Sequence, residues 1–219
     1  MDIRKLLTSG LISQICLIYK MPIKFLANHN AIIFGQTGCG KTQLILKIIK
    51  KKMIHPFPEN IFYMYSVHQE FMDNHPEINF IKGLQFDKVD TSKPSMLVID
   101  DLLLGINKEI AEAFIMGSHH KKISLWFITQ NLFPNCNTFR LMSANCHYMI
   151  LFNNQRNFRQ VHTLARQIFV GKDLLRILNA YKRAGKSSRG FILLTFTPLL
   201  PRELTVITDF WKTCPSVYL

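Results

Sequence analysis

Apolar positions in this 219-residue chain fall into short unbroken runs separated by longer amphipathic stretches. Residues 31–34, 61–65, 96–99, 123–129, 147–152 and 191–197 are each too short for a buried helix and are rich in β-branched and aromatic residues. They predict strands, most of them covered on both faces. A shorter run, 204–208, predicts an edge strand. Between the strands, apolar residues recur at helical spacing. One stripe is Leu44, Ile45, Ile48 and Ile49, and another is Ile110, Ala111, Phe114 and Ile115, with Asn107 as its cap and Gly117 as its end. A third is Phe158, Val161, Leu164, Ala165 and Ile168, and a fourth is Leu174, Leu175, Leu178 and Tyr181. Ile3, Leu6, Leu7, Leu11, Ile15 and Ile18 predict a helical extension over residues 1–28, ahead of a single domain over 29–219. The polar stretch 66–94 has weak strand character near 78–84 and no defined place. Strands alternating with helices predict an α/β fold with a mostly parallel central sheet flanked by helices.

The first strand and first helix are joined by Gly35-Gln36-Thr37-Gly38-Cys39-Gly40-Lys41-Thr42. This fits G-x-x-x-x-G-K-[ST] with the strand before and helix after that the motif demands, and it predicts a P-loop NTPase. Successive backbone N–H groups must curl around a polyphosphate, which requires small, conformationally permissive residues. The helix N-terminus then faces the phosphates. Lys41 is expected to reach the β- and γ-phosphates, and the Thr42 hydroxyl to take one position on Mg²⁺. ATP and Mg²⁺ are therefore the expected cofactors.

A second chemical stretch is the run 96–99 ending in Asp100 and Asp101. Strand side chains alternate, so the two acids diverge at the tip. Asp100 is expected on Mg²⁺ and Asp101 on the attacking water. Gln130 stands at the end of the run 123–129, where ligands of open parallel sheets bind. A neutral amide there can hydrogen-bond the γ-phosphate or its water. Asn107-Lys108-Glu109-Ile110 lacks the Asp of the guanine-reading element N-K-x-D, so guanine specificity is not supported.

Charge changes the picture next. Lys plus Arg number 27 against 14 Asp plus Glu, a formal net of +13, which points to a polyanionic partner. His119, His120, Lys121 and Lys122 read as one basic surface loop, and Lys182, Arg183, Lys186 and Arg189 as the densest one. The five cysteines have neither C-x-x-C spacing nor a nearby His pattern, so a zinc site or disulfide framework is not indicated. Cys39 is a small spacer in a reducing compartment. No run reaches about 18 apolar residues, so no membrane span is predicted.

Four ordered motifs, Gly35–Thr42, Leu97-Val-Ile-Asp-Asp-Leu102, Gly117-Ser-His-His120 and Ile128-Thr-Gln-Asn-Leu-Phe133, together resemble viral genome-packaging ATPases. The resemblance is to the Polinton/Maverick and poxvirus-type enzymes within the FtsK/HerA superfamily. His147–Arg156 and Leu164–Gln167 extend it. It implies an ASCE/RecA-like domain that hydrolyses ATP and translocates double-stranded DNA into a capsid. It also implies a self-associated ring in which a neighbour's arginine, Arg156 or else Arg166, completes each site. A capsid or portal partner and action in the host cytoplasm or nucleus, with possible association to the virion, would follow. Lys121, Lys122, Lys182, Arg183, Lys186 and Arg189 are the expected DNA contacts. This chain carries Asp101 where many superfamily members have Glu, and it shows no separate DNA-binding or nuclease domain. The rival readings are another DNA pump or helicase, a P-loop small-molecule kinase, or a nucleotide-gated adaptor without turnover.

Overall fold

The computed structural model describes residues 24–100, 108–120, 122–132, 137–200, 202–210 and 216–218. Its elements begin with β1 (Phe25–Leu26), β2 (Ala31–Phe34), α1 (Lys41–Lys50), β3 (Ile54–His55), β4 (Asn60–Tyr65), β5 (Asn79–Lys82) and β6 (Ser95–Asp100). They continue with α2 (Lys108–His120), β7 (Ile123–Thr129), α3 (Asn137–Ala144), β8 (Tyr148–Phe152), α4 (Phe158–Ile168) and α5 (Gly171–Ala184). The last are β9 (Phe191–Thr195), β10 (Val206–Thr208) and β11 (Ser216–Val217).

Among the described residues the main sheet has the order β11-β10-β9-β8-β2-β7-β6-β4-β5. From β8 to β5 every pairing is parallel, whereas β9, β10 and β11 extend the other side antiparallel. β7 stands between the phosphate-loop strand β2 and the acid-bearing strand β6, the arrangement expected of an ASCE-type P-loop domain. Phe34 is level with Thr129, and Ile128 with Asp100, so these strands finish on one rim.

Alternation along the strands feeds two cores. Ile32, Phe34, Leu125 and Phe127 join Phe114, Val161, Leu164 and Ile177 on one face, which α2 to α5 cover. Ala31, Ile33, Trp126 and Ile128 join Leu44, Ile45, Ile48 and Ile49 of α1 on the other. β1 and β3 pair with each other beside that second core, to which Phe25 and Ile54 belong. Burying each such side chain stabilises the fold by about 1.5–3 kcal/mol, so helix positions follow the buried stripes.

Several local expectations are corrected. α2 continues through Gly117 to His120, which places both histidines in its last turn and not in a loop. An interior Gly costs only about 1 kcal/mol, less than burying Ile110, Ala111 and Phe114 returns. In α5 the buried residues are Ile177, Ala180 and Tyr181, while Leu175 is 62% exposed. Ile168, at the end of α4, is also exposed. β10 is not an edge, because β11 pairs outside it. The segment 66–94 supplies β5 and two short 3-10 turns. Of the extension expected over 1–28, residues 1–23 lie outside the described residues, as does the Asn107 cap.

Candidate nucleotide site

The phosphate loop leaves β2 and enters α1 with Gly40 at the helix N-cap, where φ is +104°. A side chain would be strained there, so the motif's glycine is a backbone requirement. Gly35 is restricted by space, since a Cβ would sit 2.5 Å from Cys39 Sγ and 2.8 Å from Phe152 Cβ. The loop thus closes on itself and on β8. Burial pushes the Cys39 thiol up, which keeps it protonated and suits a spacer.

Lys41 is buried, and its ammonium donates to Gly35 O at 2.7 Å and Gln36 O at 3.0 Å. It is folded over the loop it serves. The first N–H groups of α1 have no intrahelical acceptor and face the same space. At the tip of β7, Gln130 Oε1 accepts from the Thr37 hydroxyl at 2.8 Å, and Thr129 O accepts from Gly35 N at 3.2 Å. The tip of β7 is therefore fastened to the phosphate loop.

Asp100 ends β6, and the Tyr63 hydroxyl of β4 donates to its carboxylate. Burial together with the Asp100 charge pushes the ionisation of that hydroxyl far above the ordinary tyrosine range. Thr42 and Asp100 are hard oxygen donors lining the same cavity, a set that suits Mg²⁺, an ion that keeps several waters and needs few protein ligands. Asp101 lies outside the described residues.

These groups line one cavity of about 300 Å³. Loop residues Thr37, Gly38 and Gly40 and helix residues Lys41, Thr42 and Gln43 form its floor, and Gln69, Asp100, Gln130 and Arg189 its walls. Three of these had no such role in the sequence reading: Gln43, Gln69 and Arg189. Arg189 approaches the loop closely, its Cδ being 3.4 Å from where a Gly40 Cβ would stand. The direction of β9 explains this. β9 runs antiparallel to β8, with Phe191 opposite Phe152, so the segment before β9 arrives at the rim where β8 ends.

Gln36 is tied to the segment after β8. Its Oε1 accepts from Asn154 Nδ2 at 2.5 Å, and Asn154 Oδ1 accepts from Arg156 N at 2.8 Å. Asn154 N donates to the Tyr181 hydroxyl at 3.1 Å, which donates onward to Phe152 O at 3.0 Å. Arg156 itself is exposed and does not line the cavity of its own chain.

The described members of the expected DNA contacts fall at two rims of the sheet. Lys182 and Arg183 end α5, where they stand over the Phe158 and Tyr218 rings at 5.6 and 5.8 Å, and Lys186 follows in the exposed turn. Lys122 precedes β7 at the opposite rim, where its O accepts from Ser95 N. Lys121 lies outside the described residues.

No family model matches the chain, and no curated protein matches it. Among solved structures it is similar to the cytoplasmic domain of the type VII secretion ATPase EccC of Thermomonospora curvata, with 14% identity and a TM-score of 0.50 over 82% of this chain and 25% of that one. It is similar to B204, the DNA-packaging ATPase of Sulfolobus turreted icosahedral virus, with 13% identity and a TM-score of 0.46 over 77% of this chain and 93% of that one. A KaiC-like protein of Pyrococcus horikoshii, PH0186, gives 11% identity and a TM-score of 0.48 over 89% and 91%. The strand order and the EccC likeness together make this a P-loop ATPase fold.

Proposed function

We propose that the chain is an ATP-hydrolysing motor that assembles as a ring and drives double-stranded DNA, packaging a viral or virus-like genome into a capsid. One observation carries the reading. The phosphate loop, Asp100 and Gln130, which belong to three separate motifs of the packaging-ATPase resemblance, line a single cavity, while Arg156 is exposed and outside its lining.

Lys41 and the α1 N-terminus bind the β- and γ-phosphates. Thr42 and Asp100 hold Mg²⁺, which when bound neutralises charge on the phosphate oxygens. Asp101 takes the water's proton and orients its attack, and Gln130 contacts the γ-phosphate. Because the Thr37 hydroxyl donates to Gln130 Oε1, a phosphate entering the loop, itself an acceptor, competes with that oxygen for the Thr37 donor and frees Gln130, so β7 senses occupancy. Arg156 of a neighbouring copy completes the site, with Arg166 as the second candidate, and firing then depends on assembly. The Gln36–Asn154 bond links a chain's own phosphate loop to the segment that presents its Arg156. Exposed Lys182, Arg183 and Lys186 follow the DNA backbone without reading sequence.

The test is steady-state phosphate release from ATP with and without long double-stranded DNA, at two protein and two salt concentrations. Stimulation that grows with protein concentration and fades with salt is expected. Turnover indifferent to DNA would move the assignment to a P-loop kinase, and nucleotide binding without turnover to an adaptor.

A further inference from the structure

Tyr63 is a fully buried side chain that the mechanism above does not use, although its hydroxyl touches Asp100, a residue that mechanism needs. It lies on β4, level with Val98 of β6, and Asp100 is two residues further on. Side chains two apart share a face, so Tyr63 and Asp100 are diagonal neighbours, a separation that a long aromatic side chain spans. The ring is held from behind. Phe71 meets it edge-on with centroids 6.1 Å apart, and Phe80 packs at 5.5 Å. A fixed ring aims its hydroxyl at one place, the Asp100 carboxylate.

A phenol offers one donor and two acceptor lone pairs. Here the donor goes to Asp100, so one expected Mg²⁺ ligand leans on a rigid group. Asp100 has two carboxylate oxygens; one is held by a buried donor, and the residue lines the cavity. Outer partners of metal ligands are commonly worth 10- to 100-fold in metal affinity, because they remove the cost of orienting the ligand at binding.

We propose that Tyr63 is a positioning residue for the magnesium ion, orienting Asp100 from outside the coordination sphere. The inference rests on the assignment of Thr42 and Asp100 to Mg²⁺. Tyr63→Phe keeps the ring and its contacts with Phe71 and Phe80 and removes only the hydroxyl.

The experiment titrates Mg²⁺ into the full chain with a fluorescent ATP analogue, and repeats the nucleotide titration in chelator. Tyr63→Phe should need about 10-fold more Mg²⁺ to reach half of the metal-dependent change, while affinity in chelator stays within about twofold. In an Asp100→Asn background the same substitution should change nothing further, because its effect passes through that carboxylate. Equal losses with and without metal would make Tyr63 a packing residue and overturn the proposal, as would an unchanged Mg²⁺ requirement. If Asp100→Asn alone leaves the Mg²⁺ requirement unaltered, the metal assignment itself falls. An Asp100→Asn effect beside a silent Tyr63→Phe removes only the role of Tyr63.

Discussion

The two rims of the sheet use similar residues to opposite ends. At the rim away from the phosphate loop, Asn30 is fully buried. Its Oδ1 accepts from Leu125 N at 3.0 Å, its Nδ2 donates to Phe114 O, and its backbone N donates to His147 Nδ1 at 3.1 Å. Tyr148 accepts from Leu26 N at 3.0 Å, and Ser124 Oγ from Asn28 N at 2.8 Å. Phe25 closes this rim edge-on against Trp126, Tyr148 and Phe210. Its polar groups are spent on fixed neighbours deep in the fold. At the phosphate rim Lys41 donates to Gly35 O and Gln36 O of its own loop and Thr37 donates to Gln130 Oε1, all beside a cavity, so a phosphate can replace each of those acceptors. What separates scaffold from chemistry is where the hydrogen-bonding capacity faces, more than which residues supply it.

The hardest test of this contrast removes one group from each rim. Lys41→Ala should lower ATP turnover by at least about 100-fold, as loss of a phosphate-facing charge does, while the thermal midpoint moves only a few degrees. Phosphate release and calorimetry on the same preparation check both halves. Asn30→Ala should do the reverse. It leaves Leu125 N and Phe114 O buried without their side-chain partner, which costs about 2–4 kcal/mol in a denaturant titration. Nucleotide affinity of the protein that remains folded should be unchanged. A variant that moved both readouts together would erase the distinction between the rims.

Much of this division was legible in the residue pattern. The strands stand out because runs such as 123–129 and 148–152 are buried along their whole length. The phosphate loop stands out because its chemistry admits few residues. The misses have a common cause, since they depend on which strand neighbours which and in what direction. Tyr63 acquires its role only through the pairing of β4 with β6, and Arg189 only because β9 runs antiparallel to β8. α3 shows no apolar stripe in the residue pattern because only Phe139 and Met142 of its eight residues are buried. The two-residue strands β1, β3 and β11 carry too little pattern to be seen before the chain folds around them.

Arg189 sharpens the comparison within the phosphate rim, because it was grouped with the DNA contacts yet lines the nucleotide cavity. Its side chain is exposed, so its effect should be moderate. Arg189→Ala should weaken nucleotide binding about 3- to 10-fold without DNA present, whereas joint removal of the Lys182 and Arg183 charges should leave that affinity alone and reduce DNA stimulation. Nucleotide titrations in the absence of DNA separate the two. If Arg189→Ala altered only the DNA-dependent part, the arginine would belong with its neighbours in the basic loop.

The smallest effect is at the scaffold rim and concerns pH. Burial pushes the Tyr148 hydroxyl up to about 12. In the unfolded chain it ionises near 10. Between these values the unfolded state releases a proton that the folded state keeps, so stability present below about pH 10 is lost as pH rises toward 12. Tyr63 and Tyr181 are shifted in the same direction, so they steepen the same decline. Tyr148→Phe removes one contributor. It should cost about 1 kcal/mol at neutral pH, because Leu26 N loses its acceptor, and it should flatten the alkaline fall in stability. The two stability curves should converge as pH rises above 10. Denaturant titrations at pH 7, 9, 10 and 11 measure that convergence, and parallel curves would mean that Tyr148 ionises as readily in the fold as in the unfolded chain.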